Sequence, residues 1–522
     1  MNSNEIKIDI DYGLHNDFVY GNKGTSIYQI LCENGVFIDA ICGGKGTCGK
    51  CKIKLIHGEL DITNKDSMYF SKEELKEGYR LACMAYPKAD CNIKIDEKKQ
   101  YQGIDLGNNV LEYQNKITGE YGIAIDIGTT TIVYQLTDTK TGHVINQMTE
   151  INNNRMYGAD VLSRIDAANK GMLPVMCMQL REQLRNGINQ LYSKLSTGDG
   201  SYKMVIAGNT TMIHILMGYS CEQLGKYPFK PVTTNWIYED TTSLKLSQMK
   251  NPITILPGLS AFIGGDIIAG LSLVDFGMPG RKEIFLDLGT NGEMAVSDGN
   301  GNIFTASASA GPAFEGGNIT FGTGSISGAI ESCKIENNSV EIKTINNQRP
   351  VGICGSGIIE ILYELRKNHA IDDTGLLMDE YFEKGYPIYT DNETNINLNQ
   401  KDIREIQMAK AAIAAGMEIL LKHACLEISE FDTIYLAGNF GYHLNLNKAM
   451  GIGLLNNAWK TKIKLLGNTS LRGANNYLCG WIDENKVTSI INRASEIYFS
   501  NDPDFSDKYM HKMYLENISE ID

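Results

Sequence analysis

The chain is expected to be an α+β multidomain protein: a small mixed domain built around four thiols, then two similar α/β lobes facing each other across a cleft. Three observations lead there. One loop carries Cys42, Cys48 and Cys51 spaced C-x5-C-x2-C, and Cys83 follows after 31 intervening residues. An apolar strand runs into Asp-x-Gly-Thr twice, at Asp126–Thr129 and at Asp287–Thr290. After each, a further strand runs into Ala-Gly-Asn, at Ala207–Asn209 and at Ala437–Asn439.

Residues 1–98 form the first expected domain. Glu5–Ile10 alternates polar and apolar side chains, as a half-buried strand does. A turn near Gly21–Gly24 leads to a short helix at Ile27–Leu31, and Lys52–Ile56 and Cys91–Ile95 read as further strands. Three close thiolates plus one distant one can hold a [2Fe–2S] cluster. Gly43, Gly44, Gly46 and Gly49 let the backbone bend around it and aim amides at it. A zinc knuckle more often shows two C-x2-4-C pairs; structural zinc and a redox disulfide remain the alternatives. Strand, helix, cysteine loop, strands and a returning cysteine resemble the β-grasp ferredoxin domain, with a spacing closer to the adrenodoxin type than to C-x4-C-x2-C. Residues 99–119 are polar and without periodicity, a linker that would let this domain swing.

Residues 120–500 are expected to form the two lobes, about 120–280 and 281–500. In each Asp-x-Gly-Thr, the glycine admits a phosphate close to the backbone, while amides and hydroxyls donate to its oxygens. The aspartate is placed to hold Mg²⁺ through water. The order Asp-x-Gly-Thr then Ala-Gly-Asn, met twice, indicates a duplication in which two phosphate loops grip one triphosphate from opposite sides. This resembles the actin, sugar-kinase and heat-shock-chaperone ATPase superfamily, which has duplicated RNase H-like lobes. Asp126, Gly128, Thr129 and Thr130 match its first phosphate motif, and Asp287, Gly289, Thr290 and Asn291 its second. Gly438 and Asn439 match its adenosine motif, and Gly208 and Asn209 its first connecting motif.

Other stretches stand out between these. Asp266 follows paired glycines, and Glu315 lies in Gly311-Pro312-Ala313-Phe314-Glu315-Gly316; either acid could orient the attacking water, and both fit turn residues as well. Tyr157–Ile165 reads as a turn entering a helix, with Arg164 either functional or solvated on a capped surface helix. The glycines of Gly352–Gly357 could cradle phosphate or close a helix packing. A long helix starts at Asn399, with Ile403, Ile406, Ile413, Met417 and Leu421 on its core face and Lys410 a candidate for the cleft. Phe505, Tyr509 and Met513 give residues 501–522 the pattern of a docking helix.

Among 522 residues, 43% are apolar and 21% charged, ordinary for a globular chain. A net charge of −14 argues against nucleic acid or an anionic membrane as partner. The most apolar helical stretch, Ala409–Ile428, carries Lys410, Glu418 and Lys422 and is not expected to span a membrane. Twelve cysteines without a leader point to the reducing cytoplasm, where the eight outside the loop set are expected to be buried singly.

A one-electron centre joined to an ATPase, with no flavin or nicotinamide fingerprint, implies that the electron comes from one protein and leaves to another. Tyr157-Gly158-Ala159-Asp160-Val161, Gly311–Gly316 and Asp402–Lys410, together with the motifs above, make the chain resemble the reductive activators of corrinoid-dependent methyltransferases. The resemblance implies an electron taken from an external low-potential donor, carried by a cluster on Cys42, Cys48, Cys51 and Cys83, and passed to a corrinoid protein whose cobalt goes from Co(II) to Co(I) with ATP. It leaves a homodimer, the donor and the methyl donor open. Asn152-Asn153-Asn154 stands where the family tends to show Asn-Pro-Gln, and about 24 residues (97–120) stand where longer members carry a middle domain, which is therefore expected to be missing. The rival readings are an ATP-coupled donor to another low-potential enzyme and a nucleotide-binding redox sensor without turnover.

Overall fold

The computed structural model describes residues 4–13, 15–40, 42–95, 120–193, 202–240, 253–337, 339–392, 394–442 and 444–515. The expected linker at 99–119 lies outside them.

In strand Glu5–Asp11 the alternation puts Ile6, Ile8 and Ile10 inside. This strand pairs antiparallel with Asn16–Asn22 and parallel with Cys91–Lys94, and Lys52–His57 and Tyr79–Leu81 complete a five-stranded sheet. Helix Ile27–Glu33 begins at Ser26, whose hydroxyl accepts from the Gln29 amide, one of the donors a helix start leaves unpaired. It buries Ile27, Ile30 and Leu31 in the core of the sheet, giving the β-grasp arrangement.

The next two sheets share one topology. In the first lobe, Tyr121–Ile127 pairs antiparallel with Thr131–Asp138, which pairs with Val144–Ile151; on its other side it runs parallel to Lys203–Gly208, then to Ile253–Ile255. In the second, Lys282–Leu288 pairs antiparallel with Gly292–Asp298 and then Ile303–Ala308, and on its other side runs parallel to Thr433–Ala437 and Ile463–Gly467. In both, the central strand is covered on both faces, so it reads as a nearly unbroken apolar run. Both Asp-x-Gly-Thr loops therefore leave equivalent strand ends.

The lobes are clasped by two helices, each reaching the opposite sheet. Helix Gly265–Leu273 puts Ile267, Ile268 and Leu271 against Phe285, Ala295 and Tyr435 of the second lobe. Helix Thr469–Leu478 puts Leu471, Ala474 and Leu478 against Ala124, Val133 and Val205 of the first. They pack directly on one another, because a Cβ on Gly473 would lie 2.3 Å from the Ala269 carbonyl oxygen. Gly473→Ala should lower the denaturant midpoint by an amount equivalent to about 2 kcal/mol of overpacking, despite alanine's roughly 1 kcal/mol advantage in a helix. An unchanged midpoint would mean that the helices tolerate separation.

Helix Gln400–Ala424 carries a capping box between Asn399 and Asp402 and ends on Cys425 at φ 54°. Cys425 is exposed and Cys479 half-buried, so they depart from the expected burial, while Cys32, Cys91, Cys177, Cys221, Cys333 and Cys354 are buried. Lys410 does not reach the cleft: it is buried and its Nζ donates to the Tyr514 carbonyl, 2.6 Å away. The terminal helix Phe505–Lys512 lies along this long helix, with Phe505 stacked on Phe499 and Lys508 and Lys512 both on Glu418. Among the described residues no helix is long and apolar enough to cross a membrane.

Candidate functional site

Gly43, Gly44, Gly46 and Gly49 all have φ between 61° and 81°, so the cysteine loop coils in a way side chains resist. Tyr28 and Tyr69 lie on it: a Cβ on Gly44 would come 2.4 Å from the Tyr28 ring, and one on Gly49 2.4 Å from the Tyr69 ring. The four thiols form two pairs. Cys51 and Cys83 have their Sγ atoms 3.3 Å apart, and the Cys48 side chain hydrogen-bonds to Cys42. That bond, with help from the Thr47 amide, pulls the Cys42 thiol below its ordinary range. Among the described residues no three metal-binding side chains converge as ligands of a single ion. Two pairs of cysteines fit a two-iron cluster better than one tetrahedral zinc.

The second site is a cleft of about 270 Å³ between the lobes. It is lined by both Asp-x-Gly-Thr loops (Gly128, Thr129, Thr130 and Gly289, Thr290, Asn291), by Asn209 and Gly438, and by all four expected acids, Asp126, Asp287, Asp266 and Glu315. Asn209 caps the helix Thr210–Met217 and also donates to Thr129 Oγ1 at 3.0 Å. Gly208 does not line the cleft; it lets strands approach, because a Cβ there would sit 2.8 Å from the Ile127 carbonyl. Asn439 opens the short helix Asn439–Tyr442, and its side chain lies outside the described set.

Glu315 joins the two loops. Its Oε2 accepts from Thr130 Oγ1 at 2.7 Å and from Thr290 Oγ1 at 2.8 Å. Those hydroxyls belong to opposite lobes, so one carboxylate holds the places where two donors would meet an anion.

The remaining acids are half-buried around the cleft, Asp126, Asp287 and Glu293 on strands and Asp266 on a helix. Asp126 is gripped from the other lobe by Asn468 Nδ2 at 2.8 Å and Ser470 Oγ at 2.7 Å. Asp266, in the first turn of its helix, has no such pair; burial first, and the Asp126 charge second, push it up to about 7. Asp287 is likewise raised to about 7, by burial and then by Asp266. Glu293 is raised as well, chiefly by burial. Isolated carboxylates in apolar surroundings favour the neutral form, and like charges nearby reinforce that preference.

Several lining residues were not anticipated. Asn468 and Ser470 follow a strand and Gly467, in the place where Asp266 follows Gly265 in the other lobe, so the repeat could have flagged them. Arg155, Glu293 and Phe440 have no comparable signal; Phe440 stacks on Phe314 with ring centroids 4.9 Å apart. Gly355 and Ser356 do line the cleft, and a Cβ on Gly355 would overlap the Phe314 carbonyl, so this glycine also serves close packing.

Arg164 is not a solvated surface residue. It is fully buried, with Nε donating to the Gly158 carbonyl at 3.0 Å and Nη2 to the Thr129 carbonyl in the phosphate loop. Asp160 caps its helix through the Ser163 amide.

Comparison with known proteins agrees with this layout. Residues 15–88 match the 2Fe-2S iron-sulfur cluster binding domain, residues 121–278 the RACo middle region, and residues 281–520 the C-terminal domain of RACo, the ASKHA domain. The second match corrects the expectation of a missing middle domain: the middle region is present, as the first lobe. The chain is similar to the corrinoid activation enzyme RamQ of Eubacterium limosum, 32% identical over 95% of this chain and 97% of that one. It is also similar to the [Co(II) methylated amine-specific corrinoid protein] reductase of Methanosarcina barkeri, 25% identical over 72% and 73%. A solved reductive activator for corrinoid,iron-sulfur protein superposes with a TM-score of 0.69 at 26% identity, covering 98% of each chain. With paired thiols and a two-loop cleft in one polypeptide, and relatives matched over nearly its whole length, the chain belongs to the family of reductive activators of corrinoid proteins.

Proposed function

We propose that this protein uses ATP to return the cobalt of a corrinoid protein from Co(II) to Co(I), one electron at a time. The observation that carries this reading is the union in one chain of a two-lobed phosphate cleft and a four-thiol loop. Cys42, Cys48, Cys51 and Cys83 would hold the [2Fe–2S] cluster, which supplies one-electron chemistry when bound. The electron would come from an external low-potential donor. A tenfold unfavourable equilibrium corresponds to about 59 mV for one electron, so an acceptor well below the donor needs free energy from elsewhere.

In the cleft, the two loops donate amides and hydroxyls to the phosphates. Asp126 and Asp287 are the acids placed for Mg²⁺, with Asn468 and Ser470 orienting Asp126. Asp266 lines the same cleft beside them, and we assign it as the proton acceptor for the attacking water. Glu315 is engaged with Thr130 and Thr290, and we assign it to holding the loops together rather than to the water.

The test is ATP turnover by cluster-loaded protein with and without a Co(II) corrinoid protein, following Co(I) by its absorbance under a low-potential reductant. Turnover that depends on the corrinoid protein, with Co(I) accumulating, is expected. Tight ATP binding without turnover would favour the sensor reading, and turnover that leaves cobalt at Co(II) would favour a different acceptor.

A further inference from the structure

The segment Asn152–Gly158 lies between the nucleotide cleft and the cysteine-bearing domain. On its cleft side, it and Arg164 hold every carbonyl of the first phosphate loop. Asn152 Nδ2 donates to the Gly128 carbonyl at 2.8 Å, the Asn152 amide to the Thr130 carbonyl at 2.9 Å, and Arg164 to that of Thr129. Asn152 and Arg164 are themselves fully buried.

On the other side the same segment is the seat of the ferredoxin domain. Tyr28 Oη donates to the Met156 carbonyl at 2.8 Å, while the Tyr28 ring lies on Gly44 of the cysteine loop. Tyr157 Oη is 3.0 Å from the Cys32 carbonyl and 2.8 Å from Gln179 Oε1; its one proton serves one of them at a time. A Cβ on Gly43 would stand 3.1 Å from the Tyr157 carbonyl, so the cysteine loop itself touches the seat. Arg155 lines the cleft and lies 3.9 Å from Asp39, three residues before Cys42.

We infer that Asn152–Gly158 is a coupling element, through which nucleotide in the cleft tightens the seat of the ferredoxin domain and a seated domain strengthens nucleotide binding. The physical reason is shared backbone. The carbonyls that receive the tyrosine hydroxyl and touch the cysteine loop belong to Met156 and Tyr157, four and five positions from Asn152, in the same short 3-10 stretch Asn153–Tyr157. The Gly128 amide is already given to the Thr131 carbonyl at 3.0 Å, so a phosphate would draw on the Thr129 and Thr130 amides; that orders the carbonyls of this loop, and these order the seat. A buried, close-packed segment shifts as a unit rather than bending residue by residue. Coupling between two binding events is reciprocal: each must change the other by the same factor.

The inference rests on the cleft being a nucleotide site, and its test separates the two. Tyr28→Phe in the full chain with its cluster keeps the ring on Gly44 and removes only the hydroxyl, and Tyr28 is not among the residues lining the cleft. Its dissociation constant for a non-hydrolysable ATP analogue is expected to rise about fivefold. In the wild type, the analogue should slow amide exchange of Ile27–Glu33 by a comparable factor, and in Tyr28→Phe it should not. Tyr157→Phe, from the opposite side of the seat, should reproduce both effects. Wild-type affinity in both variants, with exchange indifferent to nucleotide, overturns the coupling and leaves the proposed function standing. Wild-type protein that binds no analogue overturns both.

Discussion

Replacing Cys83 by alanine should abolish the visible absorbance of the reconstituted iron–sulfur centre and all cobalt reduction with it, while ATP analogue affinity stays within about twofold. Cys83 is 3% exposed, in the short turn Ala82–Met84, and its sulfur stands 3.3 Å from that of Cys51. Losing it leaves one of the two thiol pairs with a single member, and three thiolates do not complete the four-cysteine set a [2Fe–2S] centre uses. The turn itself is held by backbone, with the Ala82 amide on the Cys51 carbonyl at 2.8 Å, so a smaller side chain should not unravel it. Cys91→Ala is the control, a buried thiol in the same core but outside the loop set. The assignment fails if Cys83→Ala retains the full spectrum, or if Cys91→Ala loses it equally.

The second large effect is expected in the cleft. Asp266→Asn should cut ATP turnover by about a hundredfold or more, yet make the nucleotide-free protein more stable near neutral pH. Asp266 and Asp287 are each raised to about 7, by burial and then by neighbouring carboxylates. A carboxyl with a raised folded-state pKa binds its proton more tightly folded than unfolded. Its contribution is therefore complete below the ordinary carboxylate range of about 4, and is lost as pH rises toward 7. The wild type should show a lower denaturant midpoint at pH 8 than at pH 5 from this source. The asparagine removes one of the charges, so the gap should narrow, with the cluster spectrum untouched. An unchanged gap would mean that these carboxyls are not mutually strained, and a lost cluster would mean misfolding.

Much of the site was legible in the chain because its chemistry is local. Strand, glycine, threonine and aspartate must follow one another for a phosphate to reach the backbone, so Asp126–Thr130 and Asp287–Asn291 announced themselves, and their repetition announced the second lobe. The thiol spacing is equally local. The middle region was misjudged for a different reason: the length of a linker says nothing about which family segment lies beyond it, and the first lobe was that segment. Arg164 stayed undecided and Lys410 was offered to the cleft because a charge on a helix is solvated or buried according to what packs over it, which neighbours in sequence do not report.

What the sequence by itself determined is thus the fold class, the Cys42–Cys51 loop and the two Asp-x-Gly-Thr loops, the loops each written within about ten consecutive residues. Only the tertiary structure decided that Asn468 and Ser470 hold Asp126 across 342 and 344 positions, that Glu315 ties the loops of opposite lobes, and that Tyr28 rests on Met156. The first group follows from the bonding needs of a short stretch of backbone. The second depends on how whole sheets and helices bury their apolar faces against one another, and that packing chooses which distant side chains meet.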